Sequence, residues 1–138
     1  MEVTKKIAEE VVNTKFEDIP PKAVERIRRG ILDDIGIVFM AYKINGKPLV
    51  EYAKETGGGI PESTIIGDGS KVLCMAAAGI HAQMAFETDF NETGPGGHAL
   101  SNIVQTGVAM AERAGASGKE LITAVAVAYE MNARFHRS

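Results

Sequence analysis

The sequence predicts a mostly α-helical fold, about six helices forming a bundle-like single domain over residues 1–138. Three observations carry that prediction. Apolar residues recur three and four positions apart along most of the chain, the period of a helix face. Hydrophobic residues make up 45% of the chain, yet aromatics are only 6% and tryptophan is absent. The core is therefore built of Ala, Val, Ile and Met, side chains small enough for close helix approach. The periodic stretches are separated by helix starts and stops, with little of the alternation expected of strands.

Val3, Ile7, Ala8, Val11 and Val12 form one face of a short first helix, with Lys5, Lys6, Glu9 and Glu10 on the other, ending near Thr14. Residues 16–20 connect it to a long second helix with Pro20-Pro21 in its first turn. Ala23, Val24, Ile27, Ile31, Leu32 and Ile35 are its apolar stripe, and residues 35–42, apolar nearly all round, are expected to be deeply buried. Gly30 and Gly36 within it each cost about 1 kcal/mol against alanine, so close helix packing is expected there. Asn45-Gly46 reads as a turn. Residues 47–56 read as a short third helix stopped by Gly57-Gly58-Gly59. Residues 63–67 are a short extended piece, and Ser70 is placed to cap an alanine-rich fourth helix over 71–86. A fifth helix over 100–114 stops at Gly115. Ser117 and Glu120 have capping-box spacing at the start of the sixth, 118–135, which carries Leu121, Ile122, Val125, Val127, Ala128 and Met131.

The formal charge of −3 argues against nucleic acid as a partner. Cys74 is the only cysteine, so no internal disulfide is expected. No apolar run approaches the length of a membrane span, and the Met-Glu-Val-Thr-Lys-Lys start lacks a signal peptide's apolar core. The expectation is a soluble cytoplasmic protein without a membrane or nucleic-acid partner.

The chain gathers chemistry in one place. Residues 85–101 form a glycine-rich loop between the fourth and fifth helices, with Glu87, Asp89, Glu92, Thr93 and His98 around a Gly-Pro-Gly-Gly run. Loops on a rigid scaffold are where binding and catalytic groups concentrate. Asp89, Asn91 and Thr93 begin like a calcium loop. The twelfth position, which must hold a bidentate glutamate, is Leu100, and the eighth is Gly96, so no metal is expected. Gly67-Asp-Gly-Ser-Lys71 places serine before lysine and fails as a phosphate loop. Arg26, Arg28 and Arg29 read as a solvated helix face able to pair with Glu25 or Asp33, Cys74 as core, and His136 as part of a frayed end. His81 reads as a hydrogen-bonded structural histidine. His98 follows a run that exposes backbone N–H groups to an anion. As residues alone, Asp89 and His98 fit either a polar surface loop or a carboxylate and imidazole facing one cleft.

Several runs together resemble the N-terminal part of the MmgE/PrpD family, whose members include 2-methylcitrate dehydratase and cis-aconitate decarboxylase. They are the Ile19-Pro20 helix start, Ile31-Leu-Asp-Asp-Ile-Gly36, Gly58-Gly-Ile-Pro-Glu-Ser-Thr, Ala77-Ala78 and Asp89-Phe90 with Thr93 and His98. Ala111-Glu112, Gly115-Ala-Ser-Gly-Lys-Glu-Leu121 and Tyr129-Glu130 with Arg134 complete the set. The resemblance covers nearly the whole chain, and its order and spacing carry it.

The resemblance implies a helical domain that combines with a separate α/β domain, absent from this sequence. It also implies a cofactor-free lyase or isomerase of small polycarboxylic acids such as 2-methylcitrate, commonly a homodimer. By motif, Asp89, Thr93 and His98 are its catalytic residues: His98 for proton transfer or carboxylate binding, Asp89 for orientation or proton transfer, Thr93 for a hydrogen bond. Proton transfer at carbon and donors for the carboxylates are what such an elimination needs. The family's Asp-Phe-Asp-Asp-Thr run has Asn91 and Glu92 for its second and third aspartates here. Phe86 and His81 stand where the family has histidine and asparagine, and Ala99 where a proline follows the loop histidine. The family's later basic and histidine site residues have no counterpart, His136 being too early. Two expectations follow: an enzyme component completed by a complementary chain, or a non-enzymatic helical module that oligomerises or binds a partner through an exposed apolar patch.

Overall fold

The computed structural model of the chain describes residues 2–57, 59–94 and 97–137. It is mostly α-helical, as the periodicity predicts. The helices are α1 (Glu2–Asn13), α2 (Pro21–Ala41), α3 (Lys47–Thr56), α4 (Cys74–Glu87), α5 (Ala99–Ala114) and α6 (Gly118–Arg137). Strands β1 (Ser63–Thr64) and β2 (Lys71–Val72) form a small antiparallel hairpin, with Ser63 opposite Val72 and Thr64 opposite Lys71.

Four local expectations are corrected. Asn45-Gly46 is not a turn: residues Tyr42–Gly46 form a π-helical segment that carries α2 directly into α3. Gly46 is buried and closely packed, since a Cβ would stand 2.8 Å from Met84 Sδ and force that side chain to shift. The glycine is there for packing. Ser70 does not cap a helix beginning at Lys71, because residues 71–72 pair as β2 and the Ser70 hydroxyl donates to Asp68 within the hairpin. α4 starts at Cys74, whose N–H donates to the Glu62 carboxylate at 3.0 Å. A carboxylate from outside the helix thus satisfies a first-turn donor and suits the positive end of the helix dipole. The second half of α2 is buried on one side only: Ile37, Val38 and Ala41 are enclosed, while Phe39 is 49% exposed. Gly30 lies against Leu100, as close packing requires, but Gly36 faces open space.

The core lies between the end of α2, α3, α4 and the hairpin, with Val38, Ala41, Val50, Ile65, Ala77 and Met84 shut from solvent. α4 packs chiefly on α5, and α5 in turn on α6. The hairpin is strapped to α5 by polar bonds. Ser63 Oγ donates to the Ala109 carbonyl at 2.7 Å, and the Thr64 N–H and hydroxyl both donate to the Glu112 carboxylate at 2.6 Å. Lys71 adds an ion pair to Glu112 at 3.0 Å. Partial burial opposes ionisation of Glu112, but the Thr64 bonds and Lys71 outweigh it and hold its carboxyl below the usual range.

α5 ends at Gly115, φ 62°, the left-handed position that favours glycine. At the start of α6 the expected capping box is formed: the Ser117 N–H donates to Glu120 at 2.7 Å, and the Glu120 N–H to Ser117 Oγ at 3.3 Å. α1 stands apart, with none of its described residues buried. Between α2 and α6, with the end of α1 and the loop before α5 at its margins, runs a cavity of about 1070 Å³. No helix is long and apolar enough to cross a membrane among the described residues.

Candidate functional site

The glycine-rich loop joins α4 to α5, and both ends are set by the helices. α4 closes at Thr88, and Asp89 follows in a left-handed conformation, φ 53°, with its N–H donating to the Phe86 carbonyl at 3.2 Å. Aspartate is one of the few residues other than glycine that tolerate this region. Asp89 thus has a structural reason to be what it is, besides any chemistry. Its carboxylate is well exposed, and Oδ1 lies 3.9 Å from His98 Nε2.

His98 immediately precedes α5, with its ring one-third exposed. Its Nδ1 lies 2.8 Å from the Glu92 carbonyl oxygen. A carbonyl only accepts, so Nδ1 carries the hydrogen and Nε2 of the neutral ring is a bare acceptor on the Asp89 side. At 3.9 Å the carboxylate is too far for a hydrogen bond. Protonation of the ring turns the contact into an ion pair. Phe86, where the family pattern has histidine, meets the imidazole edge-on, ring centres 6.1 Å apart.

His81 gives a useful contrast. Its Nε2 accepts the Ile66 N–H at 2.9 Å and the ring is fully buried, which lowers its pKa to about 4. That nitrogen is occupied, so His81 is the structural histidine expected. His98 keeps its Nε2 open.

Thr93 is exposed and borders the α2–α6 cavity with Glu92 and Gly94. The three expected residues therefore divide: Asp89 and His98 face one another, and Thr93 borders the groove. The anion-binding reading of the Gly-Pro-Gly-Gly run falls partly on Pro95 and Gly96, outside the described residues. Gly94 and Gly97 bracket them with reciprocal backbone bonds of 3.0 Å.

The sequence assigns no role to four further residues at this site. Asp34 on α2 is 2% exposed and accepts the Ser101 hydroxyl at 2.8 Å, while its other oxygen meets no partner among the described residues. Burial raises its pKa to about 6. The Ser101 bond pulls the other way, and the charges of Asp33 and Glu92 add to the rise. The signal was available, since Asp34 lies three residues after Ile31 and four before Val38 on a helix whose apolar face is buried. Glu92 accepts the Leu100 N–H at 3.0 Å, in the first turn of α5. Tyr129 places its hydroxyl where a Cβ on residue 94 would sit, so a larger residue there would displace it. Burial raises the Tyr129 phenol pKa, Glu92 adds to the rise, and Arg26 opposes it. Asn91 is buried with neither side-chain polar atom partnered among the described residues. A neutral amide there avoids the larger cost of burying an unpaired carboxylate.

Among the described residues no group of three or more histidine, cysteine or acidic side chains is placed to hold a metal ion. The site's chemical means are one imidazole with an open nitrogen, a carboxylate beside it, and a hydroxyl at the edge of a cavity. The family model for the MmgE/PrpD N-terminal domain matches residues 5–138. No curated protein and no solved structure matches the chain.

Proposed function

The chain belongs to the MmgE/PrpD family, and from that premise we propose that it is a component of a cofactor-free lyase or isomerase of small polycarboxylic acids such as 2-methylcitrate, completed by a complementary chain. One observation carries the reading. His98 has Nδ1 anchored on a backbone carbonyl and Nε2 open beside Asp89, the arrangement of a proton-transfer group. Asp89 orients the imidazolium that forms, and Thr93 offers a hydroxyl to a substrate carboxylate. A base of this kind contributes roughly 10²–10⁴-fold.

The test is elimination from citrate-like acids by the co-purified chains. His98→Gln should lower kcat by at least about 10²-fold. Asp89→Asn, which keeps the left-handed preference and removes the charge, should lower it less. Undiminished turnover in both variants would remove these residues from the mechanism.

A second reading, a non-enzymatic helical module that oligomerises or binds a partner, is favoured by large apolar side chains left exposed. Val12 is 81% exposed and Leu32 73%. Sedimentation at increasing concentration should show association. A strictly monomeric protein would count against it.

A further inference from the structure

We propose that Glu92 is the positioning residue of this site, fixing the tautomer and direction of the His98 imidazole. The proposal rests on the reading of His98 as a proton-transfer group. Glu92 stands where the family run has its third aspartate.

Glu92 is held at both ends. Its side chain accepts the Leu100 N–H at 3.0 Å, and its own carbonyl accepts from His98 Nδ1 at 2.8 Å. The two anchors lie two residues apart at the start of α5, so residue 92 closes the loop onto the helix and its carbonyl is directed at the ring. On the far side, the Tyr129 hydroxyl from α6 occupies the space where a Cβ on Gly94 would sit. The carboxylate also meets a favourable field, because the free N–H groups of a helix's first turn are its positive end.

The consequence is chemical. In free histidine the neutral ring prefers the hydrogen on Nε2. Which nitrogen carries it in a protein is set by the hydrogen bond the other nitrogen makes. The Glu92 carbonyl demands the hydrogen on Nδ1, which leaves Nε2 able to take a proton. Loss of the side-chain anchor frees the carbonyl, and the ring returns to its solution preference with Nε2 blocked by hydrogen.

The experiment reads the tautomer directly, on the full ¹⁵N-labelled chain, by long-range ¹H–¹⁵N imidazole spectra above the ring's titration range. His98→Gln assigns the signals. Wild type and Glu92→Gln, whose amide oxygen still accepts from Leu100, should both show the Nδ1–H form of His98. Glu92→Ala should shift most of the population to Nε2–H while the His81 signals stay in place. Glu92→Asp, one methylene too short to hold both anchors, should shift in the same direction and serves if the alanine variant does not fold. An Nε2–H ring in the wild type, or no change in the alanine or aspartate variant, would overturn the proposal. In the elimination assay Glu92→Ala should lower kcat at least tenfold with KM nearly unchanged, and Glu92→Gln should restore it. Absence of elimination by the wild type would refute the lyase reading alone, since the spectra judge Glu92 independently.

Discussion

The two halves of α2 meet different surroundings. From Asp34 onward the helix enters the core, with Ile37, Val38 and Ala41 enclosed. Before it, no residue is fully buried, and Ala23, Arg26, Ile27 and Gly30 border the 1070 Å³ groove against α6. The first half makes a wall, and the second makes a packed interior. Small side chains fill space completely only where they join a core closed from several sides, as the second half does in the cluster it shares with residues of α3, α4 and the hairpin. Where α6 is the chief neighbour, the same kinds of residues leave a channel.

The sharpest way to break this comparison is to cut a methionine from one side and an isoleucine from the other. Met84→Ala, on α4 in the core that the second half enters, should cost about 3 kcal/mol in urea unfolding. Ile27→Ala, on the groove wall, should cost about 1 kcal/mol, because water already reaches that surface. Equal losses would mean that the groove is covered in solution.

The next effect lies at the boundary between the halves, where Asp34 is buried. Its carboxyl pKa is raised from 3.8 to about 6. The folded state therefore holds the proton more tightly than the unfolded chain does. The associated stability is full below about pH 3.8 and is lost as pH rises toward 6. The displacement is worth about 3 kcal/mol. Asp34→Asn keeps an acceptor for Ser101 and carries no charge, so it should stabilise the protein at pH 7 by up to about 3 kcal/mol, with the gain vanishing near pH 4. Urea titrations at both pH values measure it. His81 has the opposite sign: its pKa is lowered to about 4, so its stability is present above about pH 6.5 and is lost as pH falls toward 4. The two slopes oppose each other, and the wild type should vary less with pH than Asp34→Asn.

The smallest effect is at the start of α6, the helix that forms the other wall of the groove. Ser117→Ala removes one arm of the capping box and should cost about 1 kcal/mol in the same assay. A loss as large as that of Met84→Ala would mean that α6 is held mainly by its cap and hardly by its packing.

How much of this was legible in the sequence varies with the range of the forces involved. The helices of α1, α2, α5 and α6 are local consequences of periodicity, proline placement and glycine stops, and they lie where the sequence places them. α4 was misplaced at its start because the residue that satisfies it, Glu62, is twelve positions away and joined through the hairpin. Ser70 had the right chemistry for a cap, but Asp68 took its hydroxyl first. At the site, the closeness of Asp89 and His98 is legible because both lie on one short loop. Glu92 was overlooked as a departure from a pattern, since nothing local announces that its side chain and carbonyl would be anchored two residues apart. Asp34 meets Ser101 of α5 and Tyr129 meets Gly94 of the loop from other helices, and only packing brings them there.

The π-helical segment at Tyr42–Gly46 sets the phase between two helices. A π turn holds an additional residue relative to an α turn, so every side chain after it is rotated by about 100° from where an unbroken α-helix would point it. Val50 and Ala53 face the core because of that offset. The segment therefore works as a rotary spacer. Deleting one residue there would leave the composition of α3 intact and turn its apolar face toward water.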